Sequence, residues 1–207
     1  MRSTVIGALA LSLTFNLALA VSGARAETPT ERVQGLVDGV ILVLKDPAMK
    51  GPAAKKQRRE RMKQVIDRRF DYEEMARRSL GRSWGSLNGG QRQEFVRLFG
   101  ELLEASYADK IENYHDEKVQ YLHEDRDDGD YAEVRTVVLR KNDRIPLNYR
   151  MIIKDQGWMI YDVVIEGVSL VSNYRSQFGR VISEGSYGEL VRRLRAKITE
   201  LQKTRKL

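Results

Sequence analysis

The sequence predicts an α+β fold, with helices packed on one face of a twisted four-stranded antiparallel sheet. Three observations carry this. Apolar residues recur at helical spacing over the first half of the chain and again near its end. Between about residues 117 and 166 the period changes to two. The segments there are joined by the short turns "RDDGD", "KNDRIP" and "KDQG", which suit an antiparallel meander. In the third segment, Leu147, Tyr149, Met151 and Ile153 share one face, while Asn148, Arg150 and Lys154 share the other. One greasy and one wet face is the pattern of a sheet covered on one side.

The chain opens with an export signal. Arg2 supplies a positive start, Val5 to Val21 an apolar run, and Ala24-Arg25-Ala26 the small residues a signal peptidase reads. The run is shorter than the ~20 residues that span a bilayer, and Asn16 interrupts it, which disfavours a retained anchor helix. Residues 1–26 are therefore set apart, and 27–207 are expected to form one domain, helical over 28–115, sheet over 117–166 and helical again over 169–203. Loss of Arg2 and Arg25 from the 36 basic residues, against 29 acidic ones, leaves 181 residues and a net charge of +5. No cysteine occurs, which excludes disulfides, lipid attachment at an N-terminal cysteine and thiol catalysis.

The elements follow in order. Thr28, Pro29 and Glu31 form the start signal of a helix whose stripe is Val33, Leu36, Val37, Val40, Ile41 and Leu44, ending near Lys45. "DPAMKGP" breaks it. A second helix carries "KKQRRERMK" and turns apolar only at Met62, Val65 and Ile66. A short third helix runs from Asp71 to the left-handed cap position Gly81. Asn88 and Gln91 open a long helix with Phe95, Leu98, Phe99, Leu102, Leu103, Ile111 and Tyr114 as its apolar residues. The strands are Lys118–Glu124, Tyr131–Arg140, Leu147–Lys154 and Trp158–Glu166. Alternation in the last puts Met159, Tyr161, Val163 and Ile165 on one face and Ile160, Asp162, Val164 and Glu166 on the other. After Gly167 the period is helical again, from about Ser169 to Ser183, and a basic helix from Leu190 to about Lys203 closes the chain.

Catalytic and metal patterns are not met. His115 and His123 sit in no ligand-spaced pair, and "HEDRDDGD" departs from an EF-hand loop, with Gly129 one position too early counted from Asp125 and Thr136 where the closing glutamate would stand. No glycine group has phosphate-loop spacing, and no serine sits in a nucleophile elbow. Tyr161 and Asp162 could abstract a proton in a cavity, but alternation sets them on opposite faces. The basic run has no interleaved aromatics and belongs to an exported chain, so nucleic acid is not expected. A solvated face, anionic headgroups or an acidic partner are its remaining readings.

The run "WMIYDVVIEGVSLVSNYRSQFGRVI", with "RRFDYEEMARRSLGRSW" and "LNGGQRQEFVRLFGELLEASYADKIENY" before it, resembles the MlaC, or toluene-tolerance, family of periplasmic phospholipid-binding proteins. The resemblance covers almost the whole chain after the signal. It implies a cone-like sheet, similar to the nuclear-transport-factor fold, which encloses a deep apolar cavity together with the helical lobe. It implies a soluble, monomeric, non-enzymatic periplasmic shuttle without cofactor or metal, whose cargo is phospholipid. Its implied partners are an inner-membrane ABC transporter complex with its lipid-binding subunit and an outer-membrane lipoprotein complex, the pathway that maintains outer-membrane lipid asymmetry. A hopanoid carrier and an interaction module without cargo are the alternatives. On this reading the cavity candidates are Leu98, Phe99 and Leu102 from the long helix, Tyr149, Met151, Val163 and Ile165 from the sheet, and Val168, Val171 and Tyr174 beyond it. For each of them a place in an ordinary core is the competing reading. Arg175 either meets a phosphate near the mouth or pairs with a carboxylate such as Glu166, the pairing being favoured.

Overall fold

The structure, a computed structural model, describes residues 26–114, 117–127 and 129–204. The export signal up to Arg25, and His115, lie outside the described residues. Among the described residues six α-helices and five strands follow one another. They are α1 (Pro29–Lys45), α2 (Lys55–Asp67), α3 (Tyr72–Leu80), α4 (Gly89–Glu112), β1 (Lys118–Arg126), β2 (Tyr131–Leu139), β3 (Arg144–Lys154), β4 (Gly157–Ile165), β5 (Val168–Ser169), α5 (Leu170–Glu184) and α6 (Tyr187–Thr204). Short 3₁₀ turns lie at Pro47–Met49 and Gly81–Ser86. The sheet is an antiparallel meander in the order β1-β2-β3-β4-β5. Its fifth strand, two residues long, is one more than the sequence predicts, because so short a strand carries no periodicity to read.

The capping signals work as their chemistry requires. Thr28 and Glu31 make a reciprocal capping box on α1, as do Asn88 and Gln91 on α4. Asp71 accepts from the Glu74 backbone at 3.0 Å and opens α3, which Gly81 ends at φ +56. There the Arg175 guanidinium lies against the glycine, 3.0 Å from where a Cβ would stand. Among the described residues Arg175 forms no ion pair with Glu166.

Two apolar cores result, and Phe70 packs against both. The first gathers α3, α4, α5 and α6 around Phe95, Phe99, Tyr174 and Phe178, whose rings meet edge-on or stacked at 5.2–6.0 Å. The second lies between α1 and one face of the sheet, with Val33 and Leu36 against Val134, Tyr149, Met151, Ile160 and Val163.

In β4 the structure corrects the simple alternation. The register shifts between Arg150 and Met151, so that Arg150 faces Asp162 and Met151 faces Ile160, leaving Tyr161 as the extra residue of a bulge. Ile160 therefore joins Val163 and Ile165 on the α1 side, whereas Tyr161 packs against the other core. The displaced Tyr161 ring lies 4.1 Å from the Arg78 guanidinium and meets Tyr131 edge-on at 5.8 Å. The bulge is held from outside the sheet. Phe70 bridges to Ile160, whose N–H donates to the Arg69 carbonyl at 2.8 Å while its carbonyl accepts from Asp71 N–H at 2.8 Å.

The strand-to-helix turn closes on itself. Glu166 and Gly167 have φ of +50 and +82, as a two-residue type I′ turn requires. This brings Ser169 beside β4, where Asp162, 3% exposed, accepts from Ser169 Oγ at 2.6 Å and Val171 N–H at 3.0 Å. Ser169 Oγ in turn accepts from Ser172 N–H and caps α5. Arg150 joins Asp162 to Glu133, giving a cross-strand ladder of alternating charge on the wet face.

Asp162→Ala is expected to lose about 2–3 kcal/mol in urea unfolding, because it removes a cap and leaves buried donors unpaired. A loss below about 0.5 kcal/mol, the scatter of surface substitutions, would dismiss that role. Glu74 gives a pH-dependent counterpart. Hydrogen bonds from Arg77 and Arg78 hold its carboxyl at about 2, below the usual 4.5. A depressed folded-state value means the stabilisation is complete above pH 4.5 and is lost as pH falls from there toward 2. Glu74→Gln should flatten the fall in urea midpoint over that window; parallel wild-type and variant curves would refute it.

Candidate functional site

A cavity of about 350 Å³ lies beside the second core. One wall is the stripe Leu36, Val37, Val40, Ile41 and Leu44 of α1. The sheet supplies Leu147, Tyr149, Val163 and Ile165, with Val119 and Val138 toward its edge. Met62 and Ile66 of α2 and Leu103, Tyr107, Ala108 and Ile111 of α4 complete it, with Phe70, Tyr72 and Met75 from the α2–α3 connection and α3. The walls are apolar, and the volume falls within the range of small-ligand pockets.

Helix α4 has two faces. Leu98, Phe99 and Leu102 point into the aromatic core. Gly100, Tyr107 and Ile111 lie on the other side and line the cavity, as the helical period dictates, and Leu103, between the two faces, belongs to the aromatic core and also reaches the cavity. At Gly100 a Cβ would stand 3.7 Å from the Tyr72 ring, so the small residue brings that ring close to the helix.

Helix α2 faces α4 across the cavity and buries only Met62 fully. Its link to the end of α4 is ionic. Arg58 lies 2.8 Å from Glu112, and Arg59 contacts both Asp109 and Glu112, whose carboxylate is 9% exposed. Arg58 also donates to the Met49 carbonyl at 2.7 Å. Because each guanidinium has a carboxylate in hydrogen-bonding contact, the charges can sit beside an apolar wall.

Of the expected site residues, Tyr149, Val163 and Ile165 line the cavity. Met151 is fully buried beside Tyr149 in the sheet core. Leu98, Phe99, Leu102, Val171 and Tyr174 pack in the aromatic core on the other side of α4. Val168 is 57% exposed on β5, and Arg175 lies over Gly81 rather than at a cavity wall. The α1 stripe, the second face of α4 and the apolar end of α2 were not predicted as lining. A signal for α4 was present in the sequence: its apolar residues cover more of the helix than one interface needs.

The buried phenols of the lining do not suit proton transfer. Burial pushes Tyr72, Tyr107 and Tyr149 above their ordinary value, away from neutrality. Tyr161 and Asp162 are both absent from the lining, being engaged by Arg78 and by the α5 cap. Among the described residues no group of three or more His, Asp or Glu side chains could hold a metal ion.

Known proteins agree with this architecture. Residues 34–196 match the family model described as MlaC protein. The intermembrane phospholipid transport system binding protein MlaC of Haemophilus influenzae is 27% identical over 120 residues, and the chain spans just over half (56%) of that relative's length. The solved structure of the phospholipid-binding protein from Ralstonia solanacearum, in complex with a phospholipid, is similar with a TM-score of 0.75 at 30% identity, covering 83% of this chain and 97% of that one. With the family model matched over most of its length, the chain belongs to the MlaC family.

Proposed function

We propose that this protein is a phospholipid carrier that holds acyl chains in the cavity between α1, α2, α4 and the sheet. The observation that carries the reading is that cavity, walled mainly by apolar side chains, with charged residues at its borders, and set between two apolar cores. The phospholipid held by the similar Ralstonia protein supports the choice of cargo over a hopanoid. Two acyl chains with roughly thirty methylenes cost about 25 kcal/mol to expose to water, at ~0.8 kcal/mol per methylene. A carrier must offset most of that and no more, so that donor and acceptor membranes can both compete. No bond is made or broken.

The remaining assignments rest on the family and on the first residues of the sequence. Residues 1–26 act as a cleaved export signal, and 27–207 act in the periplasm as one monomeric domain. There the carrier exchanges lipid with an inner-membrane ABC transporter complex and an outer-membrane lipoprotein complex. Tyr149, Val163 and Ile165, with the α1 stripe and Leu103, Tyr107 and Ile111, contact the acyl chains. Leu98, Phe99, Leu102, Val171 and Tyr174 act from behind, by holding α4 in place.

Native mass spectrometry of the mature protein, purified without detergent from its own periplasm, should show phospholipid-mass adducts at about one per chain. Val163→Glu should remove them while circular dichroism shows a folded protein, since a carboxylate in an apolar cavity excludes acyl chains. Phe99→Leu should instead cost about 1–2 kcal/mol of stability and keep the adducts. Folded wild-type protein that arrives without lipid and takes none from liposomes would defeat the carrier reading and favour an interaction module.

A further inference from the structure

Resting on the carrier reading, we propose that Lys110 and Arg140, at one end of the cavity, receive the phosphodiester of the cargo and make the carrier prefer phospholipids to neutral lipids with the same chains. A phospholipid has two chemically different ends. Apolar walls dictate where the chains go, but the phosphate must leave those walls wherever charge and water permit. Charged residues border the cavity at two places, and their signs differ.

The first place is the middle of the α2–α4 seam, where Lys63, Asp67 and Glu104 reach the lining. Lys63 is in ion contact with Asp67, and two carboxylates reach the lining there against one ammonium. A phosphate leaving there would stand beside two carboxylates. The second place is where the end of α4 meets the end of β2, bordered by Arg59, Lys110, Glu117 and Arg140. Arg59 is engaged by Asp109 and Glu112. Arg140 stands 3.4 Å from Glu117 with its side chain 48% exposed. Lys110 is exposed and has no carboxylate partner among the described residues. Its ammonium sits 5.1 Å from the centre of the Tyr107 ring, and Tyr107 itself lines the cavity. The cation is thus held where apolar wall gives way to water.

Coulomb's law chooses between the two exits. At the α4 end the phosphate meets a lysine without an anion and an arginine whose single long contact leaves most of its fork available. Both groups are partly exposed, so the phosphate keeps some hydration and the gain is modest. Modest attraction suits a carrier, because a tightly clamped headgroup would not be released. A diacylglycerol of the same chains would fill the walls equally well but bring no anion to the two cations. Lys110 and Arg140 therefore act on selectivity, while the walls act on capacity.

The test is a competition. Lipid-stripped mature protein is incubated with liposomes containing equimolar palmitoyl-oleoyl phosphatidylglycerol and palmitoyl-oleoylglycerol, and the two adducts are compared by native mass spectrometry. The wild type should favour the phospholipid, and the double variant Lys110→Ala/Arg140→Ala should cut that ratio about five-fold while total lipid per chain is kept. Raising salt to about 0.5 M should lower the wild-type ratio in the same direction. Lys56→Ala/Arg68→Ala, which removes equal charge from exposed positions at the start and just past the end of α2, outside the lining, should leave the ratio unchanged. A double variant that keeps the wild-type ratio, a control pair that lowers it equally, or a wild type that takes both lipids alike would each overturn the assignment while leaving the carrier intact. Uptake of neither lipid would overturn the carrier itself.

Discussion

The structure depends on one helix being apolar on two sides. Protein interiors close around unfilled space, because an empty apolar cavity forfeits contacts on every wall. Here α4 is fastened from behind through Phe95, Phe99, Tyr174 and Phe178, whose rings meet edge-on or stacked. Its other side, with Gly100, Tyr107 and Ile111, borders the cavity. Both cores end at that space: Met75 and Leu103 of the first line it, as do Leu36, Tyr149 and Val163 of the second.

The opposite wall is stiffened by the β4 bulge and its neighbours. An extra residue at Tyr161 turns Ile160 inward and sends the tyrosine toward Arg78, so the strand bends while each displaced side chain still finds a partner. The chain from Arg69 to Asp71 bonds to both backbone groups of Ile160, and Asp162 ties the strand to the start of α5. The two most recognisable sequence runs thus meet at one point, along the edge of β4 away from β3. Their shared residues serve the geometry of the wall, and neither Asp162 nor Arg175 touches the cavity.

Helix α2 is built differently from the rest. Its apolar burial is slight, and arginine–carboxylate contacts tie it to the end of α4. Contacts of this kind hold a geometry while contributing little net stability when partly exposed. A wall held by apolar packing on one side and by charge on the other combines a fixed floor with a border that water and ions can reach. Such a border is where an amphiphile must place its polar end.

The sequence by itself determined the element order, the helix starts and the meander, because these depend on local chemistry: caps at Thr28, Asp71 and Asn88, turn residues such as Gly167, and a period that is either two or near 3.6. It also placed Tyr149 on the apolar face of the third strand and Val163 and Ile165 on that of the fourth. The bulge was not legible, since an inserted residue leaves composition unchanged and shifts only the pairing with β3. Nor was it legible which apolar residues reach the cavity: Leu102 and Leu103 are adjacent in the chain, identical in chemistry and buried in one core, yet only Leu103 also lines the cavity. Periodicity reports that a face is kept from water. Whether a side chain or a void lies against it is decided by the elements packed opposite, and only the tertiary structure contains them.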